Sequence, residues 1–167
     1  FDMPWHGKSN PPVGWHICEY QLTTELYKET ILAFCQAMEL VQPAIMGCSM
    51  GGRVVLHLAL EKPDDFRAVI ALEGADRLEP YYDTEWLHRP DIHGGEIAAG
   101  FVSGQISPLS PAEYRWETLW AYMQSGPGVF KGDLYFYWVD GHFEDRSAQI
   151  DTTRCPVYLL SGEYDSS

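Results

Sequence analysis

One serine stands between glycines in the run Gly47-Cys48-Ser49-Met50-Gly51-Gly52, at the spacing G-x-S-x-G. The chemistry open to such a serine is nucleophilic attack on a carbonyl. A hydroxyl is a weak nucleophile at neutral pH, so it needs a base beside it and a backbone that lifts it clear of the chain. The flanking residues predict that backbone. Ala44-Ile45-Met46 is a short apolar run and Val54 to Leu60 is an apolar helical stretch, so Ser49 tops a strand, a tight turn and a helix. Gly47 and Gly51 are both expected because side chains there would collide in so sharp a turn. The helix that follows would aim its first N–H groups at the serine.

The elements that must hold this turn are legible on both sides of it. A helix is predicted from near Thr23, with Glu25 in its first turn and Tyr27, Ile31, Phe34, Cys35 and Met38 recurring at three and four. Pro43 to Met46 predicts a buried strand, Met50 to Leu60 a helix that stops before Pro63, and Arg67 to Leu72 a second buried strand. Strand, helix and strand joined by short links imply an α/β class with a parallel sheet covered on both faces. From about Pro80 to Ile150 the alternation stops and aromatic residues crowd in, among them Phe101, Trp116, Trp120, Tyr137 and Trp138. Within that stretch Ser110-Pro111-Ala112-Glu113 predicts a helix start, with serine as cap and proline at the first position. Pro156 to Leu160 returns to strand.

Composition narrows the function classes. A chain of 167 residues, 46% hydrophobic, is about one domain with a sizeable core. A formal net charge of −13 argues against nucleic acid and against an anionic membrane surface. No apolar run approaches the ~20 residues of a membrane span. Cys18, Cys35, Cys48 and Cys155 are widely spaced, without C-x-x-C, which predicts small buried hydrophobes in a reducing, cytoplasmic compartment rather than disulfides or metal ligands. His88, Asp91 and His93 match no metal-ligand spacing, so no metal and no cofactor are expected.

Three motifs in order carry a resemblance. Asp2-Met3-Pro4-Trp5-His6-Gly7-Lys8-Ser9 resembles the D-x-P-G-x-G-x-S loop after strand four of α/β-hydrolases. Gly47 to Gly52 resembles their nucleophile elbow after strand five, and Gly162-Glu163-Tyr164-Asp165 resembles the segment after strand seven that holds their acid. The resemblance spans essentially the whole chain. It implies an α/β-hydrolase core over residues 1–79, a helical cap inserted over 80–150 and a return to the core over 151–167, all within a partial version of the fold. It also implies Ser49 as nucleophile, Asp165 as the acid that orients a histidine, and the Met50 N–H as one oxyanion donor, with Glu73 and Asp76 as alternative acids.

The chain departs from the family pattern in two respects. Trp5 stands where the family usually has glycine. No histidine follows Asp165, although the family order is serine, acid, histidine. Of the six histidines present, His142 is the one considered as a base, while His57 is expected to point away from the serine and His93-Gly94-Gly95 to be a turn. The family's strand three would precede Phe1, so a gap with exposed edges is expected in the sheet, and the chain resembles the middle of a longer hydrolase that would not complete the reaction alone. Cys48 is expected to face the core. The function implied is hydrolysis of a carboxylic ester of a small hydrophobic substrate through an acyl-enzyme. The alternatives are a carbon–carbon bond hydrolase of ring-cleavage products or an enol-lactonase, and a non-catalytic binding module. Oligomeric state is not legible.

Overall fold

The computed structural model describes residues 1–10, 13, 20–79, 94–124, 126, 128–163 and 165. Cys18, Pro80, His88, Asp91, His93 and Tyr164, named above, lie outside the described residues. Two compact units emerge from the packing, Phe1–Gln21 with Tyr81–Leu134, and Leu22–Pro80 with Tyr135–Ser167.

The second unit holds a three-stranded parallel sheet in the order β1 (Ala44–Cys48), β2 (Ala68–Leu72), β3 (Val157–Leu160). α1 (Thr24–Ala37) begins where the sequence predicted. The Thr23 hydroxyl accepts the Leu26 N–H, and Tyr27 and Ile31 are buried at helical spacing. α2 (Met50–Glu61) follows β1 through Ser49 alone and packs against β1, β2 and α1. Its Val54, Val55, Leu58 and Ala59 are buried, and so are Val69 and Ala71 of the central strand. Burying each larger apolar side chain contributes about 1.5–3 kcal/mol.

Coverage on both faces, expected from the sequence, is not what the described structure has. β1 alternates between half-buried Ile45 and Gly47 and exposed Ala44, Met46 and Cys48. The register aligns Met46, Ile70 and Tyr158 in one cross-strand row and Cys48, Leu72 and Leu160 in the next. Met46 is 64% exposed and Tyr158 56%. These strands are buried on the α2 side only, so the expectation of a buried β1 is corrected. Cys48 falls on the exposed parity of β1, which also corrects its expected place in the core.

The first unit contains α3 (Gly94–Gln105) and α4 (Ala112–Tyr122), which pack on each other. Gly94 therefore opens a helix rather than a turn. α4 starts one residue later than predicted, with Pro111 in the cap position and no side-chain cap. The N-terminal loop sits in the same unit: Trp5 is buried with its ring edge-on to Tyr20 at 4.3 Å, and His6 Nε2 pairs with Asp133 at 2.9 Å. The described part of the N-terminal loop thus belongs to the unit that holds α3 and α4. α5 (Val129–Tyr135) leads into a π-helical turn, Phe136–Asp140, which belongs to the second unit.

Candidate active site

Ser49 joins β1 to α2 with φ 55° and ψ −115°, in the left-handed region that side chains rarely adopt. It occupies the N-cap position of α2, where a serine ordinarily folds back to accept an N–H of the first turn. Here it makes no such bond. Its N–H instead donates to the Leu72 carbonyl at 2.8 Å, which ties the turn to the end of β2. The Ser49 hydroxyl is left for other partners, and the strain that frees it comes from the turn itself.

Two glycines permit the turn. A Cβ at Gly47 would lie 2.1 Å from the Gly51 carbonyl oxygen, and one at Gly52 would lie 2.8 Å from the Leu72 oxygen and from Gly74 Cα. A Cβ at Gly51 would meet nothing within 4 Å. The expected need for glycine at 51 is therefore corrected: the close approach runs from Gly47 to the backbone of 51, and from Gly52 to the neighbouring strand end.

Around Ser49 the C-terminal ends of the three strands bring carboxylates together. The Cys48 thiol donates toward Glu73 Oε2 at 3.8 Å. Partial desolvation by its surroundings first, then the charge and bond of Glu73 and the charge of Asp165, push that thiol above its ordinary range, so Cys48 is held as the unreactive thiol. The Asp165 N–H donates to the Gly162 carbonyl at 3.1 Å, and a Cβ on Gly162 would stand 3.6 Å from Glu73 Oε1. Glu73 and the loop of Asp165 thus converge at one end of the sheet. Asp76 lies farther along, where its carbonyl accepts the Phe143 N–H at 3.0 Å and its charge favours the cation of Arg53. Met50 is the first residue of α2, so its N–H belongs to the first-turn donors that lack an intrahelical acceptor.

A hydroxyl that the sequence did not single out lies beside Ser49 Oγ: Tyr137 Oη, at 3.5 Å. Among the described residues no histidine bonds to Ser49. His57 is buried, and its Nε2–H donates to the Gly141 carbonyl at 2.9 Å while its ring lies 4.5 Å from Phe143. Burial pushes this imidazole below its ordinary value, so it is neutral at pH 7. Arg53, four residues after Ser49, is wholly buried. Its Nε donates to the Ala75 carbonyl at 2.6 Å, its Nη1 donates to the Tyr137 carbonyl, and its guanidinium sits 4.5 Å from the centroid of the Tyr137 ring. A charge inside an apolar helix was the available sequence signal for Arg53; nothing in Tyr135-Phe136-Tyr137-Trp138 distinguishes Tyr137 from its neighbours.

Among the described residues no group of three or more His, Cys, Asp or Glu could hold a metal ion, and no helix is long and apolar enough to cross a membrane.

Comparison with known proteins places the fold. The chain is similar to a hydrolase from Pseudomonas aeruginosa PA01 (TM-score 0.65, 16% identity, 97% of this chain and 69% of that one). It is similar to an enol-lactonase from Burkholderia xenovorans LB400 (TM-score 0.68, 14% identity, 97% and 70%). It is also similar to a thermophilic esterase from Thermogutta terrifontis (TM-score 0.67, 18% identity, 99% and 61%), so it spans less than two thirds of that protein. No curated protein sequence matches the chain. The sequence pattern of the α/β-hydrolase fold family matches residues 1–104, which include the elbow, β2 and the N-terminal loop, and the chain belongs to that family.

Proposed function

We propose that the protein is a serine hydrolase that cleaves a carboxylic ester of a hydrophobic substrate through an acyl-enzyme. The observation that carries this is the conformation of Ser49: a left-handed serine at a helix N-cap that does not cap. A serine kept only for structure would relax to an extended φ and bond the first turn. In the proposed reaction Ser49 Oγ adds to the ester carbonyl carbon, the alcohol leaves, and water releases the acid from the acyl-enzyme. The Met50 N–H faces the developing oxyanion, and Asp165, with Glu73 as the alternative, orients the base. Ring-opening of a lactone is the same acyl transfer with the alcohol tethered; the similarity to an enol-lactonase supports it as the second reading.

The test is the intact mass of the natural protein before and after a fluorophosphonate, with Ser49→Ala beside it. One adduct, lost in the variant, is expected, together with turnover of p-nitrophenyl esters. A natural protein that gains no adduct would overturn the reading in favour of a non-catalytic module.

A further inference from the structure

We propose that the Tyr137 hydroxyl is a second hydrogen-bond donor of the reaction centre, donating to the carbonyl oxygen that becomes negative when Ser49 adds to the substrate. The inference rests on the serine-hydrolase reading and gives it a residue that neither the motifs nor the family resemblance assigns.

Position is the first argument. Tyr137 Oη lies 3.5 Å from Ser49 Oγ. Hydroxyl pairs that share a proton sit about 2.5–3.0 Å apart, so this proton is not committed to the serine. When Ser49 Oγ bonds to the carbonyl carbon, the π pair moves onto the carbonyl oxygen, which then shares a carbon with Oγ. A donor 3.5 Å from Oγ is placed to meet that oxygen, which forms beside Oγ on the same carbon. Tyr137 keeps its proton throughout, so the step is electrostatic and needs no further reactant.

Preorganisation is the second. Tyr137 is buried, and Arg53 holds it twice, through its carbonyl and through its ring face. The Arg53 backbone N–H in turn donates to the Ser49 carbonyl at 3.1 Å, in the first turn of α2. Serine and tyrosine are therefore anchored to one helix turn. The turn that carries Tyr137 is fixed at its far end too, where Asp140 accepts from the Thr24 hydroxyl at 2.6 Å and Gly141 accepts from His57. A short π-helical turn is a costly conformation and recurs at functional sites. The buried Arg53 cation, itself fixed by the Ala75 carbonyl, holds Tyr137 by carbonyl and by ring, so the tyrosine is kept in place.

The test is Tyr137→Phe in the natural protein, which keeps the ring and its contact with Arg53 and removes only the hydroxyl. Three quantities are read: the thermal midpoint, kcat and KM on a p-nitrophenyl ester, and the rate ratio between that ester and its thionoester, whose sulfur is a poor acceptor. The expected result is a kcat lower by roughly 10²–10³, the loss typical of one oxyanion donor. KM and the midpoint stay near the natural values, and the oxygen-over-sulfur preference shrinks by a similar factor. The preference reads the hydrogen bond even if the variant is less stable. A variant that gains the fluorophosphonate adduct and retains kcat and the oxygen preference would overturn the role of Tyr137 while leaving Ser49 as nucleophile. A natural protein that gains no adduct would overturn both.

Discussion

Gly47 and Gly51 flank the serine symmetrically in the sequence, yet one of them is dispensable on steric grounds. At Gly47 an added Cβ has a backbone oxygen 2.1 Å away, and backbone cannot swing aside as a side chain can. Gly47→Ala is therefore expected to destabilise the protein by more than about 2 kcal/mol, through forced displacement of the elbow, and to abolish fluorophosphonate labelling. Gly51→Ala has open space in the first turn of α2 and is expected to be neutral or to stabilise by about 0.4–1 kcal/mol, because alanine reduces the freedom of the unfolded chain. Urea unfolding of the two variants side by side checks both. Trp5 is a further residue whose type alone misleads. Its φ of 72° is the conformation for which glycine is the usual occupant. The indole tolerates it because burial against Tyr20 offsets the strain.

At the scale of elements, α2 presents Ser49 at its start and grips the segment from Tyr137 to Gly141 with Arg53 and His57, one turn apart. This gives His57 a pH signature. Burial lowers its folded pKa, against the Gly141 carbonyl and the Glu61 charge that favour the cation and with Arg146 and Lys28 that oppose it. As pH falls below about 6.5 the unfolded chain takes up the proton first, so stability declines until the folded pKa is reached and is fully present above about 6.5. His6 has the opposite sign. Burial disfavours its cation, but the bond and charge of Asp133 outweigh this and raise its pKa, so its contribution is present at low pH and lost as pH rises. The difference between the natural protein and His57→Gln isolates the first effect. The variant is expected to lose about 1–3 kcal/mol at pH 7.5 and to show a flatter decline in thermal midpoint between pH 7 and 5. At the other end of the unit, Thr23→Ala removes the cap of α1 and is expected to cost about 1 kcal/mol in urea unfolding.

For the molecule as a whole, the balance lies between one well-covered sheet face and one open one. Leu58 of α2 is completely buried, and Leu58→Ala is expected to cost about 2–5 kcal/mol. The opposite face aligns Met46, Ile70 and Tyr158 across the three strands, and among the described residues β1 and β3 are the outer strands of the sheet. Apolar rows beside unpaired strand edges favour association. The 167-residue chain is expected to self-associate in light scattering, and Met46→Lys with Tyr158→Glu to reduce that association while leaving the far-ultraviolet circular dichroism unchanged. A monodisperse monomer of the unsubstituted chain would refute this expectation.

The sequence by itself determined what depends on neighbours along the chain. The apolar runs at Ala44 and Ala68, the helical periodicity after Thr23 and the G-x-S-x-G spacing all act within a few residues, so element order and parallel connection were legible, as was the serine at the apex. Local pattern cannot carry what depends on residues far apart. Cys48 was expected in the core because a turn with Ser49 at its apex should direct residue 48 inward, and only the pairing of three strands decided that its side faces outward. Glu73 and the loop of Asp165 converge because β2 and β3 are adjacent, which no spacing between positions 73 and 165 encodes. Tyr137 reaches Ser49 across 88 positions. That contact exists because Arg53 and His57 draw a distant π-helical turn onto the elbow helix, through bonds to backbone carbonyls that leave no trace in the identity of the residues that accept them.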